Sequence, residues 1–348
     1  MQSNIKIIES TSIGKKSGQN NDGMYVGENF VAVIDGVSFN SAINIEHKKI
    51  EIAEIITEAI KKLDRPSAPE YAKTLQFEEF VRFINMYIRK YCENINYPIL
   101  EKPLEATGAI YSKYYNQIWL VGDCRAIYDG NIIQNELEID EVSTKIRIEL
   151  TKALLQEGYK PEELLEGSSI ERKIMKNPQI ISQYIKNKEK ANQTLKYIQD
   201  TMYETLVDYG FTSEEIQNRQ LLKTYYSPIE FQKFLKNNPN SNKYGYSVFN
   251  GNETEIKNCI VKDLPENVRN IKLFSDGISM QILKKSKDLG QVIRTLRSQA
   301  KKDQLSINTN RTIKSAFKQS KRNNYLSIDD ATAVNFQIIY QNERDEER

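Results

Sequence analysis

Five aspartates stand at the ends of apolar, strand-like runs scattered along this chain. They are Asp22 in Asn20-Asn21-Asp22-Gly23, Asp35 in Val33-Ile34-Asp35-Gly36, Asp123 in Val121-Gly122-Asp123-Cys124, Asp276 in Phe274-Ser275-Asp276-Gly277, and Asp329 in Ile328-Asp329-Asp330-Ala331-Thr332. Carboxylates gathered at strand ends can hold hard divalent cations, which prefer oxygen ligands. Each aspartate alone has an ordinary explanation, because Asp-Gly is a common turn. Asp129-Gly130-Asn131 reads that way, as a hairpin turn. The set carries more weight than its members. The runs before Asp35 and Asp276 are strongly apolar, and a glycine after each lets the backbone approach a ligand closely.

Four or five converging carboxylates repel one another severely unless cations intervene. Two divalent ions about 3.5–4 Å apart relieve that repulsion, activate a water and clamp phosphoryl oxygens during in-line displacement. Phosphate-ester hydrolysis is the reaction that most needs such help, because its uncatalysed rate is among the slowest known.

Other chemistries fit less well. Cys92, Cys124 and Cys259 are far apart and odd in number, which excludes a disulfide framework and a cysteine-based zinc motif. Cys124 beside Asp123 could act as a nucleophile only with a base, and the chain's single histidine, His47, lies in the charged stretch Glu46-His47-Lys48-Lys49. A buried cysteine behaving as a small apolar residue is the better reading. The scarcity of histidine also argues against zinc hydrolases.

The chain has 348 residues, 39% hydrophobic and 28% charged, with a net charge of +2, which fits a water-soluble globular protein and gives no overall field for nucleic acid or a membrane surface. No apolar run reaches the length of about 18 residues that a membrane span needs. Met1-Gln2-Ser3-Asn4-Ile5-Lys6 lacks the apolar core of a secretory signal, so a cytoplasmic location is expected.

The aspartates need strands to position them. Residues 5–34 give short apolar or alternating runs that end in Phe30-Val31-Ala32-Val33-Ile34. Over 42–63 the period changes, and Ile52, Ile56, Ala59 and Leu63, with Ala53 and Ile60, mark one helix face. A second helix is expected over 75–92 through Phe77, Phe80, Val81, Ile84, Ile88 and Tyr91. Strands return at 107–112, 117–121 and 125–128. Residues 136–236 read as helical, charged and poor in glycine. Further strands are expected at 244–250, 259–261, 271–274 and 333–340, with a helix over roughly 277–302. Two strand-rich halves thus flank a helical middle, and the aspartates come from both halves. They can meet only if the halves form one domain.

In this order the motifs resemble the metal-dependent protein serine/threonine phosphatases of type 2C, in their bacterial form. The matching segments are Gln19-Asn20-Asn21-Asp22, Phe30-Val31-Ala32-Val33-Ile34-Asp35-Gly36, Ala106-Thr107-Gly108-Ala109 and Trp119-Leu120-Val121-Gly122-Asp123-Cys124-Arg125-Ala126. Tyr244–Gly251, Leu273-Phe274-Ser275-Asp276-Gly277 and Asp329-Asp330-Ala331-Thr332-Ala333-Val334 follow. The resemblance implies an α+β fold, a four-layer α/β/β/α sandwich of two antiparallel sheets flanked by helices. It implies one phosphatase-like domain over 1–340, a helical insertion at about 136–236 and a polar tail at 341–348. It also implies two manganese or magnesium ions, with Asp35 bridging both and the Gly36 carbonyl binding one. Asp276 and Asp329 would complete the first ion's shell, Asp22 would support the second, and Asp123 would hold a third, looser ion. Of the neighbours Asp329 and Asp330, the spacing to Thr332 favours Asp329. The implied substrate is a phosphorylated protein, and the implied partner a serine/threonine kinase.

Three departures from the family pattern bear on phosphate handling. Val37 stands where many relatives carry His or Met, and it cannot donate a proton to the leaving group. Lys15 and Lys16 occupy the region of a phosphate-holding arginine, and lysine lacks arginine's bidentate fork. Asn21 stands where some relatives have Glu. Two alternatives stay open beside hydrolysis of phosphoserine and phosphothreonine: a catalytically weak domain that binds phosphoproteins or a signalling partner, and a phosphatase of nucleotides or other small molecules. The segment 136–236 reads equally as a recognition element and as a plain helical pack. From Lys284 to Arg322 the chain is rich in Lys and Arg, with Asp288 and Asp303 the only acids. Without clustered aromatics, that stretch reads as a solvated helix face rather than a nucleic-acid site.

Overall fold

The computed structural model describes residues 3–13, 20–37, 42–45, 48–135, 137–159, 170–217, 226–276 and 331–340. The chain forms two compact units, one holding the described residues up to 135 with those of 246–276 and 331–340, the other those of 137–245.

The first unit runs β1 (Ser3–Ile13), β2 (Gly23–Val26), β3 (Phe30–Gly36), β4 (Ala42–Ile45), β5 (Lys48–Glu51), α1 (Ile52–Leu63), α2 (Glu70–Lys73), α3 (Phe77–Asn94), β6 (Ala106–Ser112), β7 (Gln117–Val121), β8 (Arg125–Tyr128) and β9 (Asn131–Gln134). It resumes with β10 (Ile260–Asp263), β11 (Asn270–Phe274) and β12 (Ala331–Tyr340). One five-stranded sheet has the order β1-β12-β11-β8-β9, the other β10-β7-β6-β3-β2, and β4 and β5 form a separate hairpin. Every described pairing is antiparallel. The fold is therefore two antiparallel sheets flanked by helices, an α+β architecture as expected.

Alternation along β3 explains how the layers stack. Phe30, Ala32 and Ile34 point to one face, where they meet Ile52, Ile56 and Ile60 of α1 and Phe80 and Ile84 of α3. Val31 and Val33 point to the other face and pack with Leu273, Val334 and Phe336 of the opposite sheet. A strand apolar on both faces is the signature of burial on both sides. Trp119 of β7 anchors the helix-facing layer, its ring 5.2 Å from Phe80 and 5.6 Å from Phe77. The helix expected over 277–302, together with the basic stretch to Arg322, lies outside the described residues.

Two expected elements are corrected. The helical reading began too early, since 42–45 and 48–51 pair as β4 and β5 with Ile43 and Ile50 buried, and α1 begins at Ile52. The strand expected over 244–250 reduces to isolated bridge positions at Tyr246 and Phe249, and at the second Ala106 and Phe249 exchange N–H···O bonds of 3.0 and 2.8 Å.

The second unit contains α4 (Glu138–Gln156), α5 (Ile170–Lys176), a 3-10 turn (Pro178–Gln183), α6 (Lys188–Tyr209), α7 (Ser213–Gln217) and α8 (Pro228–Leu235). Asn187 caps α6 by accepting from the Lys190 N–H, and Gly210 ends it at φ 115°, a conformation that suits glycine. Tyr209 packs within 5.7 Å of Phe231 and 5.2 Å of Phe211, and Lys243 pairs with both Glu138 and Asp208. No described helix is long and apolar enough to cross a membrane.

Candidate metal centre

The sheet register brings three of the aspartates to one end of one sheet. Asp35, next to last in β3, pairs with Thr107 of β6. Gly23 pairs with Ile34, so Asp22, one residue earlier, comes level with Asp35. Gly108 pairs with Val121, so Asp123, just past the end of β7, lies beside Thr107. The Thr107 hydroxyl donates to Asp123 Oδ1 at 2.9 Å. A turn at Gly122 makes that contact possible. Its φ is +80°, and a Cβ there would fall 2.2 Å from Thr107 Cγ2. Only glycine fits both the backbone conformation and the space.

Asp276 arrives from the other sheet. It follows β11 by two residues, and its backbone N–H donates to Asp35 Oδ2 at 3.4 Å. The turn before it is pinned to β12, because Ser275 N–H donates to the Thr332 carbonyl and Thr332 N–H donates to Ser275 Oγ, both at 2.9 Å. From Thr332 a polar relay runs back towards Asp22. The Thr332 and Ser12 hydroxyls are 2.8 Å apart, Asn20 Nδ2 donates to Ser12, and Asp22 N–H donates to Asn20 Oδ1 at 3.1 Å.

The electrostatics agree with the geometry. Burial pushes the Asp35 carboxyl well above the usual carboxylate range, and the charges of Asp276, Asp22 and Asp123 push it further. Both carboxylate oxygens of Asp22 are closed off from solvent. The donor set is all oxygen and its repulsion is the kind a hard cation relieves, so the residues present fit manganese or magnesium. Among the described residues, no three His, Cys, Asp or Glu side chains are gathered closely enough to hold an ion by themselves. Asp329, its competitor Asp330, Gly277, Lys15 and Lys16 lie outside the described residues.

Gly36 closes β3 opposite Ala106, and the Val37 N–H donates to the Glu105 carbonyl at 2.9 Å, so the backbone stays paired past Asp35. Cys124 is fully buried in the layer between the sheets. Burial, then Asp35 and Asp123, hold its thiol well above its ordinary pKa, which suits a small apolar residue and not a nucleophile. Asp129 is a turn residue, at φ 41° before Gly130 at φ 88°. It accepts from the Asn270 N–H at 2.9 Å, at the opposite end of β11 from Asp276.

Three supports were not legible from residue types. Thr107 holds Asp123, Ser12 and Thr332 link the two ends of the chain to Asn20, and Lys49 Nζ donates to Asn21 Oδ1 at 3.1 Å. The Ala106-Thr107-Gly108 motif marked the place of Thr107 without its role. Nothing in the sequence linked residue 49 to residue 21.

The fold and the carboxylates together define a double-sheet sandwich with an acidic, oxygen-rich site at one end. No family model matches the sequence, and no curated protein matches it. Among solved structures, the chain is similar to bacterial serine/threonine phosphatases at low identity over nearly its whole length. One is the catalytic domain of the phosphatase PstP in complex with two manganese ions, 14% identical, covering 97% of this chain and 100% of that one, with a TM-score of 0.38. Others are the Mycobacterium tuberculosis phosphatase PstP/Ppp, at 15% identity, 97% and 100% coverage and a TM-score of 0.36, and Stp1 from Staphylococcus aureus, at 12%, 98% and 96%, and 0.35.

Proposed function

We propose that this chain is a metal-dependent phosphoric monoester hydrolase that removes phosphate from phosphoserine and phosphothreonine in proteins. The observation that carries the reading is the convergence on Asp35 of Asp22, Asp123 and Asp276, drawn from four separate strand ends. The ordered motifs over most of the sequence support the same reading.

In this proposal Asp35 would serve both of two manganese or magnesium ions, and the Gly36 carbonyl would help hold one of them. Asp276 and Asp329 would complete the first ion's shell, Asp22 would serve the second, and Asp123 would hold a third, looser ion. When bound, such ions lower the pKa of a water and so supply the nucleophile near neutral pH. The chain's own residues hold the arrangement. The Asp276 N–H orients the Asp35 carboxylate, and Thr107 orients Asp123. Lys15 and Lys16 neutralise the incoming phosphate as point charges. Val37 has no proton to give, so the proton for the leaving alkoxide comes from water. The helical segment is an insertion into a single phosphatase-like domain, the protein works in the cytoplasm, and its substrates are products of a serine/threonine kinase.

The test is turnover of p-nitrophenyl phosphate and of a phosphothreonine peptide with added manganese. Activity abolished by chelator and by Asp35→Ala is expected. No turnover with any divalent metal rejects the enzyme and leaves a phosphoprotein-binding domain. Strong turnover of nucleotides with none of phosphopeptides moves the substrate to small molecules.

A further inference from the structure

Besides its aspartates, the first unit presents a lysine held in an unusual way. Lys49 sits on β5 of the hairpin that runs directly into α1. The hairpin is fixed from below, because Ile43 and Ile50 pair across it and are both buried in the layer under α1. Lys49 and Glu51 alternate with Ile50 and so share the opposite face. The Lys49 ammonium pairs with Glu51 Oε1 and donates to the Asn21 side chain, one residue before Asp22.

The two partners are of different kinds. Glu51 is only 7% exposed, and its second carboxylate oxygen is buried without a hydrogen-bond partner. A buried carboxylate without compensation is costly, so the Lys49 contact is one the protein cannot release cheaply. Lys49 itself keeps 42% of its side chain exposed. An ammonium has three N–H donors. Glu51 and Asn21 use two, so the partly exposed ammonium keeps donor capacity, and its Asn21 partner immediately precedes Asp22 in the chain. A long, flexible side chain has thus been given one fixed position, where its remaining donor can be used without further ordering.

We infer that Lys49 is a specificity-determining residue that binds a phosphoryl oxygen of the substrate at the rim of the aspartate cluster, with Glu51 as the residue that positions it. The inference rests on the phosphatase reading for its substrate class, a phosphoserine or phosphothreonine dianion. A phosphate approaching several carboxylates is repelled by them, and a fixed cation at the rim offsets that repulsion at the anion itself. The contact is equally strong before and after the chemical step, so it acts on affinity more than on turnover.

The experiment is calorimetric titration of inorganic phosphate, with magnesium present, into the full chain, its Lys49→Met and Lys49→Arg variants, and a Lys62→Met control that removes an exposed lysine paired with Glu58. Steady-state kinetics on a phosphothreonine peptide accompany it. Lys49→Met is expected to weaken phosphate binding and raise KM by about tenfold, with Lys49→Arg recovering most of the loss and Lys62→Met matching the wild type. Glu51→Gln is expected to give a smaller rise in KM, because the ammonium is then less fixed. Unchanged phosphate affinity in Lys49→Met overturns the inference. So does an equal loss of affinity for the unphosphorylated peptide, which would assign Lys49 to general charge attraction. Weakened phosphate binding with no turnover in any form overturns the hydrolase reading and leaves Lys49 as an anion-binding residue. A wild type that binds no phosphate overturns both.

Discussion

Asp35 and Asp276, separated by 241 positions in the chain, are joined by an N–H···O contact of 3.4 Å from the backbone of one to the carboxylate of the other. That contact links the two sheets at the end where the acidic residues gather. It uses a main-chain donor, so a side-chain change at 276 leaves it in place. Asp276→Asn is therefore expected to keep the fold and its denaturant midpoint while losing most metal-dependent turnover. Loss of the folded state in that variant, read by circular dichroism, would place Asp276 among the structural residues instead.

Asp35→Asn separates function from stability in the opposite sense. The carboxylate is held among three others, and removing its charge relieves them. Turnover should fall at least about a hundredfold, because the neutral amide cannot bridge two cations. In chelator the variant should be more stable than the wild type, because the amide removes the buried charge that its neighbours oppose. Urea midpoints measured with and without chelator check both halves, and a destabilised metal-free variant refutes the crowding.

The same crowding sets a pH dependence. Asp35's folded pKa lies above its unfolded value. Below the ordinary carboxylate range both states carry the proton, and no penalty exists. As pH rises towards Asp35's raised value, the unfolded chain releases its proton while the folded one does not, so stability falls across that window and levels off above it. Magnesium or manganese should remove the slope, because bound cations stabilise the ionised form. Thermal midpoints against pH, in chelator and in magnesium, give the comparison. A stability that rises with pH in chelator would contradict the assignment.

Gly122→Ala should be the most damaging small substitution near the site. The new Cβ would require a left-handed conformation and would fall 2.2 Å from Thr107 Cγ2. A loss of about 2 kcal/mol or more is expected from strain and displacement together. Thr107→Val is milder, costing about 1 kcal/mol for the hydrogen bond to Asp123. If Asp123 holds a loosely bound ion, Thr107→Val raises the metal concentration needed for half-maximal activity and lowers the midpoint of unfolding by a few degrees at most.

Phe80→Ala tests the helix-facing layer. Phe80 is fully buried, and its ring lies 5.2 Å from Trp119 and 5.5 Å from Phe30. A loss of about 3–5 kcal/mol is expected. Trp119, the chain's single tryptophan, reports the change directly as a shift of fluorescence to longer wavelength.

The apolar alternation was the legible part of this chain. Phe30, Ala32 and Ile34 face the helices while Val31 and Val33 face the second sheet, which is why a continuous apolar run announced a central strand. The α1 face through Ile52, Ile56, Ala59 and Leu63 was equally plain, since its period distinguishes it from a strand. The stretch that pairs as β4 and β5 fits a helix as well in sequence, because Ile43, Ile45 and Ile50 suit either period over so short a run. Around 246–250 the expected strand gives way to side-chain bonds. Asn85 Oδ1 accepts from the Asn250 and Gly251 N–H groups, at 3.1 and 3.0 Å, and Thr254 donates to the Val248 carbonyl at 2.9 Å. These partners are far apart in sequence, and no local pattern encodes them. The aspartates at 22, 35, 123 and 276 were found because strand ends punctuate the sequence. Lys49 was not, because its partner is chosen by where a hairpin docks.

β3 has a consequence for how this molecule wears. It is covered by helices on one side and a sheet on the other, and β2 and β6 flank it in its own layer. Its amides are expected to exchange with deuterated water only when the whole first unit opens. Asp35 is part of that same strand, so the acidic end of the sandwich should share its lifetime. Heating should therefore extinguish metal binding and protection of β3 in a single step, with no intermediate temperature at which the sandwich persists but the cluster has come apart.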